Sequence, residues 1–181
     1  MTLVQQLVKK KILDKEKATA LEFEIKNSKR KEEEVILEKK IVSESFLFKL
    51  KSESLKIPLK EVLPEDVLFK ILERVPEESA KYYKMIPIGK RDDLLEVGMV
   101  YPEDLKAQEA LKFLTRQEKL SYKVFLITPT TLNNLLRQYR TLKKEVTKAL
   151  EELEEEIKVE KVKKAKPKEE NKKPDDSIMF G

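Results

Sequence analysis

Residues 75–88 read Val-Pro-Glu-Glu-Ser-Ala-Lys-Tyr-Tyr-Lys-Met-Ile-Pro-Ile, residues 94–105 read Leu-Leu-Glu-Val-Gly-Met-Val-Tyr-Pro-Glu-Asp-Leu, and residues 122–129 read Tyr-Lys-Val-Phe-Leu-Ile-Thr-Pro. In each run a proline stands where it suits a helix start, at Pro76, Pro102 and Pro129. Apolar residues between those prolines predict strands at 84–90, 94–100 and 122–128, the first two joined by an aspartate-rich turn. Helices and strands mixed in this order predict an α+β fold with a small sheet.

Upstream of these runs the chain contains an internal repeat. Residues 7–16 match residues 36–45, and in each copy an apolar helical pattern follows a turn. Asp14 and Ser43 stand where a side-chain oxygen can accept from an unpaired backbone N–H at a helix start. The sequence therefore predicts two helical hairpins in a domain at residues 1–57, packed on each other because neither could bury its apolar stripe alone.

Downstream, the last predicted helix is long. The mixed domain is predicted at residues 58–142, a helical arm at 143–162 and a disordered, charged tail at 163–181, where little apolar surface remains to be buried. Apolar residues along the arm alternate spacings of three and four. Two interpretations of that spacing stay open: a short coiled coil through which the chain forms oligomers, and a solvated arm with an amphipathic root.

Composition excludes several kinds of site. The chain has no cysteine and no histidine, so thiolate or histidine metal sites and Ser-His or Cys-His catalysis are excluded. Its 39 basic residues are interspersed with 34 acidic ones, so the net charge of +5 does not predict nucleic-acid binding. Adjacent acid pairs such as Glu103 and Asp104 are typical of helix starts, and we predict no catalytic residue, metal or cofactor. No apolar run reaches the ~20 residues of a membrane span.

From Leu3 to Arg140 the chain resembles the N-terminal domain of the type II secretion protein E and type IV pilus assembly ATPase PilB family. The sequence contains no Gly-x-x-x-x-Gly-Lys-Ser/Thr phosphate loop, so we expect the motor half of such an ATPase to be absent from it. The resemblance implies a non-catalytic, cytoplasmic adaptor that joins the motor to inner-membrane platform proteins, so the implied partners are proteins at the inner face of the membrane. A fragment of a longer ATPase and a stand-alone adaptor are both compatible with it.

Some members of that family bind cyclic di-GMP through the paired repeat, where glycines let the backbone approach the ligand. Here Val4, Lys11, Glu33 and Lys40 stand at the glycine positions, so we predict a degenerate ligand motif in which Lys11 and Glu33 lie in solvated turns. The alternative is a nucleotide sensor that acts on a pilus or secretion machine. We further expect Leu111 and Phe125 to meet in the core of the mixed domain.

Overall fold

The computed structural model describes the backbone of residues 1–178 and the side chains of residues 1–162. Two compact units are present, one comprising Met1–Tyr139 and the other beginning at Arg140. The first unit contains both the helical repeat and the mixed sheet, so residues 1–57 and the sheet that follows them belong to one compact body. The predicted α+β class is confirmed.

The repeat folds as two helical hairpins. Its helices are α1 (Leu3–Lys9), α2 (Lys15–Ser28), α3 (Glu32–Glu38) and α4 (Glu44–Leu55). The side chains of Asp14 and Ser43 accept from the backbone N–H groups of Lys17 and Phe46, which confirms both predicted caps. The centre of the repeat is an apolar core of fully buried side chains, among them Leu7, Ile36, Leu47 and Phe48.

A three-stranded sheet follows. Its strands are β1 (Met85–Arg91), β2 (Leu94–Met99) and β3 (Ser121–Leu126), in the order β1-β2-β3. β1 and β2 form an antiparallel hairpin, whereas β3 runs parallel to β2 because α7 (Leu105–Gln117) crosses over between them. Short helices α5 (Phe69–Leu72) and α6 (Glu77–Tyr83) precede β1, after a 3-10 turn at Pro64–Asp66.

Gly98 marks a close approach within the sheet. A Cβ at this position would lie 2.7 Å from Cγ2 of Ile127, which is fully buried. A glycine fits at position 98 because β2 lies close to the segment that follows β3.

Two sequence expectations about the mixed domain differ from the structure. Helix α7 begins at Leu105 rather than at Pro102, because the side chain of Asp104 caps it by accepting from the backbone N–H of Lys106. Leu111 is fully buried as expected, but Phe125 is only half-buried, and the ammonium groups of Lys60 and Lys123 lie 4.8 and 5.1 Å from its ring centroid. Phe125 is therefore a rim residue and not a central one.

The last helix, α8, is longer than the sequence predicted. It runs from Pro129 to Ile178, through the segment for which a disordered tail was expected from residue 163. Lysine and glutamate, both good helix formers, make up most of residues 163–170, where Ala165 and Pro167 are the other two residues. Residues 179–181 and the side chains after Val162 lie outside the described part of the chain.

Candidate functional site

The four residues at the predicted ligand-motif positions fall into two structural classes. Lys11 and Lys40 are exposed residues of the two hairpin turns, whereas Val4 and Glu33 are buried, on α1 and α3. Val4 and Glu33 occupy equivalent positions in the two copies of the repeat, and so do Lys11 and Lys40. Only the exposed pair, Lys11 and Lys40, is accessible to a ligand.

Both turn lysines adopt a backbone conformation that favours glycine. The φ angles are 62° at Lys11 and 55° at Lys40, in the left-handed region, which costs a residue with a Cβ roughly 1–2 kcal/mol. In each turn the next residue closes the helix end, because Ile12 donates to the carbonyl of Leu7 and Ile41 to that of Ile36. The backbone of a glycine turn is thus present although lysine occupies it.

Glu33 is not in a solvated turn, so that expectation is wrong. Its side chain is buried within α3, and its Oε2 accepts from Nζ of Lys51 at 2.9 Å. The same ammonium donates to the carbonyl of Val100 at 2.9 Å and to Oε1 of Glu103 at 3.0 Å. Lys51 itself is 4% exposed, and its three N–H groups have three acceptors. We call Glu33, Lys51 and Glu103 with the Val100 carbonyl the lysine cluster.

An aromatic ring covers the lysine cluster. The ammonium of Lys51 lies 4.8 Å from the ring centroid of Tyr101, and that of Lys31 lies 4.9 Å from the same centroid. These distances allow cation–π attraction between each ammonium and the ring. The hydroxyl of Tyr101 donates to Oε1 of Glu34 at 3.5 Å, a long contact. Burial and the neighbouring carboxylates raise the pKa of Tyr101 above its ordinary value, so this hydroxyl keeps its proton at neutral pH.

Burial also raises the pKa of the Glu33 carboxyl, because a charged carboxylate loses hydration inside the protein. The charge and hydrogen bond of Lys51 act in the opposite direction, and Glu103 adds like charge. One ammonium therefore serves two carboxylates. The arrangement joins α3 and α4 to the end of the sheet and to the start of α7, and every polar group named in it is engaged within the protein.

Sequence reasoning missed Lys51 and misassigned Glu103. Glu103 was expected only to complement a helix terminus, but Asp104 caps that helix and Glu103 reaches Lys51. One signal was available for Lys51. It follows directly on the buried residues Leu47, Phe48 and Leu50, so a lysine stands within the apolar stripe of α4 and must find acceptors there.

Within the residues that the structure describes, no three acidic side chains come together as a metal site. In the same part of the chain, none of the helices is both long and apolar enough to span a bilayer.

Comparisons with known proteins agree with this architecture. The family model of the MshEN domain matches residues 55–146. The solved structure of MshE with cdg superposes with a TM-score of 0.65 at 22% identity, covering 77% of this chain and 99% of that one. The N-terminal domain of XpsE superposes with a TM-score of 0.57 at 19% identity, covering 76% of this chain and 92% of that one.

No curated protein sequence gives a significant match. At these identities the two solved structures establish the shared fold, and the family model, which covers half of the chain, establishes the family. The chain belongs to the MshEN domain family, as its resemblance to the N-terminal domains of GspE/PilB-type ATPases indicated.

Proposed function

We propose that this chain is a non-catalytic N-terminal adaptor module of a type II secretion or type IV pilus assembly ATPase. It mediates protein–protein contacts between the motor and the inner-membrane assembly platform, on the cytoplasmic side of that membrane. The observation that carries this proposal is the match of the MshEN family model to residues 55–146. The chain also spans nearly the whole of the two solved chains with which it superposes, one of them the N-terminal domain of XpsE.

The state of the ligand-motif positions supports an adaptor rather than a ligand-binding role. Val4 is part of the apolar core, and Glu33 is bound to Lys51. The backbone N–H of Val4, which a ligand could otherwise engage, donates to Oε1 of Glu32 at 2.7 Å. The buried half of the motif therefore contributes its polar groups to the protein's own packing.

The adaptor proposal is tested by binding and by turnover. The purified chain should bind saturably to an ATPase motor domain or to the cytoplasmic part of a platform protein from the same genome, measured by biolayer interferometry. Its ATP turnover should equal that of a no-enzyme control. Absence of binding to both partners, or turnover above the control, contradicts the proposal.

A nucleotide sensor is the second candidate, because MshE has been solved with cdg and because Lys11 and Lys40 keep the turn conformation of glycine. Isothermal titration with cyclic di-GMP separates the two functions. Micromolar binding by the wild-type chain favours the sensor. We expect no heat of binding, either from the wild-type chain or from a Lys11→Gly, Lys40→Gly double variant, because Val4 and Glu33 remain committed to the core.

A further inference from the structure

An apolar pocket opens on the helical repeat, between α2 and the turn after α3. Its apolar lining is Leu13, Ala20, Leu21 and Ile41, and its volume is about 280 Å³. That volume lies just under the range of roughly 300–1,000 Å³ typical of small-molecule sites. The pocket therefore has room for one or two aliphatic side chains rather than for a drug-sized ligand.

The rim of this pocket carries two lysines and one glutamate. Lys17, Lys39 and Glu24 line it, and Nζ of Lys39 contacts Oε2 of Glu24 at 2.9 Å. The turns that lead into the pocket residues add exposed lysines at 9–11 and at Lys40. An apolar floor within a lysine-rich rim is complementary to an acidic segment that presents apolar side chains.

The second unit contains a segment of that chemistry. Residues 149–157 of α8 include five glutamates and no basic residue. Leu150, Leu153 and Ile157, spaced by three and four, lie on one helix face, and they are 56%, 52% and 44% exposed. We call residues 149–157 the acidic segment. It is an amphipathic helix whose apolar row is exposed to solvent.

We propose that the apolar pocket of one copy of this chain receives the acidic segment of a second copy. Leu153 and one neighbour in the row enter the pocket, while glutamates beside the row face Lys17 and Lys39 of the other copy. The contact joins two different surfaces, so each copy keeps one free pocket or one free segment, and assembly continues into a ring or a filament. Direct pairing of two acidic segments in parallel is disfavoured, since it sets like charges side by side.

Charge reversal tests this contact in the full-length protein. The pocket variant is Lys17→Glu with Lys39→Glu, and its control is Lys26→Glu with Lys49→Glu, at exposed positions of the same repeat. The segment variant is Glu154→Lys with Glu156→Lys, which flank the apolar row.

The control for the segment variant is Glu152→Lys with Glu155→Lys, which lie farther from the row at 100° per residue and carry the same change of charge. Circular dichroism of each variant establishes that it is folded.

Sedimentation velocity over a range of protein concentrations measures the association. The wild-type chain should self-associate, less so as salt rises from about 50 to about 500 mM. Each test variant should associate at least about tenfold more weakly than its control, because a rim charge then repels instead of attracting. An equimolar mixture of the two test variants should recover association, since reversed pocket and reversed segment are again complementary.

Three results overturn the proposal. The first is a wild-type chain that stays monomeric at every concentration up to about 1 mM, the range of weak contacts. The second is association that the segment variant weakens but the pocket variant does not, which indicates pairing between two arms. The third is a mixture of the two test variants that associates no better than either variant alone.

Discussion

Removing the ammonium of Lys51 is the sharpest test of how the two parts of the first unit are held together. In the Lys51→Met variant the stem is replaced by an apolar side chain of similar length, so the packing beside Phe48 is largely kept. The variant leaves the Val100 carbonyl and the buried Glu33 carboxylate without their donor, whereas Glu103, whose side chain is 42% exposed, can turn to water. The perturbation is thus confined to two buried acceptors.

Breaking a buried ion pair by removing one partner costs about 3–5 kcal/mol, because the remaining charge is uncompensated. Lys51 and Glu33 are 4% and 5% exposed, so solvent screens the pair little. A domain of this size has a total stability of roughly 5–15 kcal/mol, and the loss should be plain at neutral pH. Replacing both partners, as Lys51→Met with Glu33→Leu, should recover most of it, because no buried carboxylate then remains.

The cost should also depend on pH. Burial raises the pKa of Glu33 in the folded protein, so its contribution to stability is fully present below the ordinary glutamate pKa and is lost as pH rises through the raised value. Removing Lys51 raises that pKa further, since Lys51 is the group that lowers it. The stability difference between wild type and Lys51→Met should therefore be larger at about pH 8 than at about pH 5.

Urea denaturation followed by circular dichroism measures these differences, with the Lys51→Met, Glu33→Gln double variant as the control that removes the titrating carboxyl. A loss below about 1 kcal/mol for Lys51→Met at pH 8 would refute the reasoning, because it would mean that water replaces the missing donor. A pH dependence of the loss that persists in the Lys51→Met, Glu33→Gln double variant would also refute the reasoning.

Three further predictions use the same assay. Leu111→Ala should cost about 2–5 kcal/mol by leaving a cavity, whereas Phe125→Ala should cost clearly less because its ring is half-exposed; equal losses would contradict the rim position of Phe125. Gly98→Ala should cost about 1–3 kcal/mol because its methyl group meets Ile127, and pairing it with Ile127→Val, which leaves Cγ2 in place, should recover little. Lys40→Gly should stabilise the protein by up to about 1 kcal/mol by relieving the left-handed backbone, and a loss of stability would show that the lysine side chain contributes a contact.

Several helices in this chain end on a lysine and not on the glycine that usually marks a helix end in a sequence. The chain has three glycines, and lysine takes the left-handed position usual for glycine after several helices, namely at Lys11, Lys29, Lys40, Lys56, Lys84 and Lys119. A lysine at a helix carboxyl end complements the helix dipole, which offsets part of its backbone strain. The hairpins could still be predicted from the sequence, because the opposite ends carry the caps Asp14 and Ser43.

The sequence by itself determined the local elements and the family. Caps, prolines and apolar periodicity depend on neighbours in the chain, so they predicted the two helical hairpins, the three strands and the start of α8 at Pro129. The resemblance to the family predicted a substituted ligand motif, with Val4, Lys11, Glu33 and Lys40 at positions of glycine.

Only the tertiary structure shows that Val4 and Glu33 are buried in the packed chain whereas Lys11 and Lys40 are exposed. Glu33, Lys51 and Glu103 are separated by 18 and 52 residues in the chain, yet they meet because the repeat packs on the end of the sheet. Local sequence shows a charged residue on an apolar face but not its partner across the fold. Burial removes water from that charge, so its hydrogen bonds must come from distant residues, and only the folded chain brings those residues within reach.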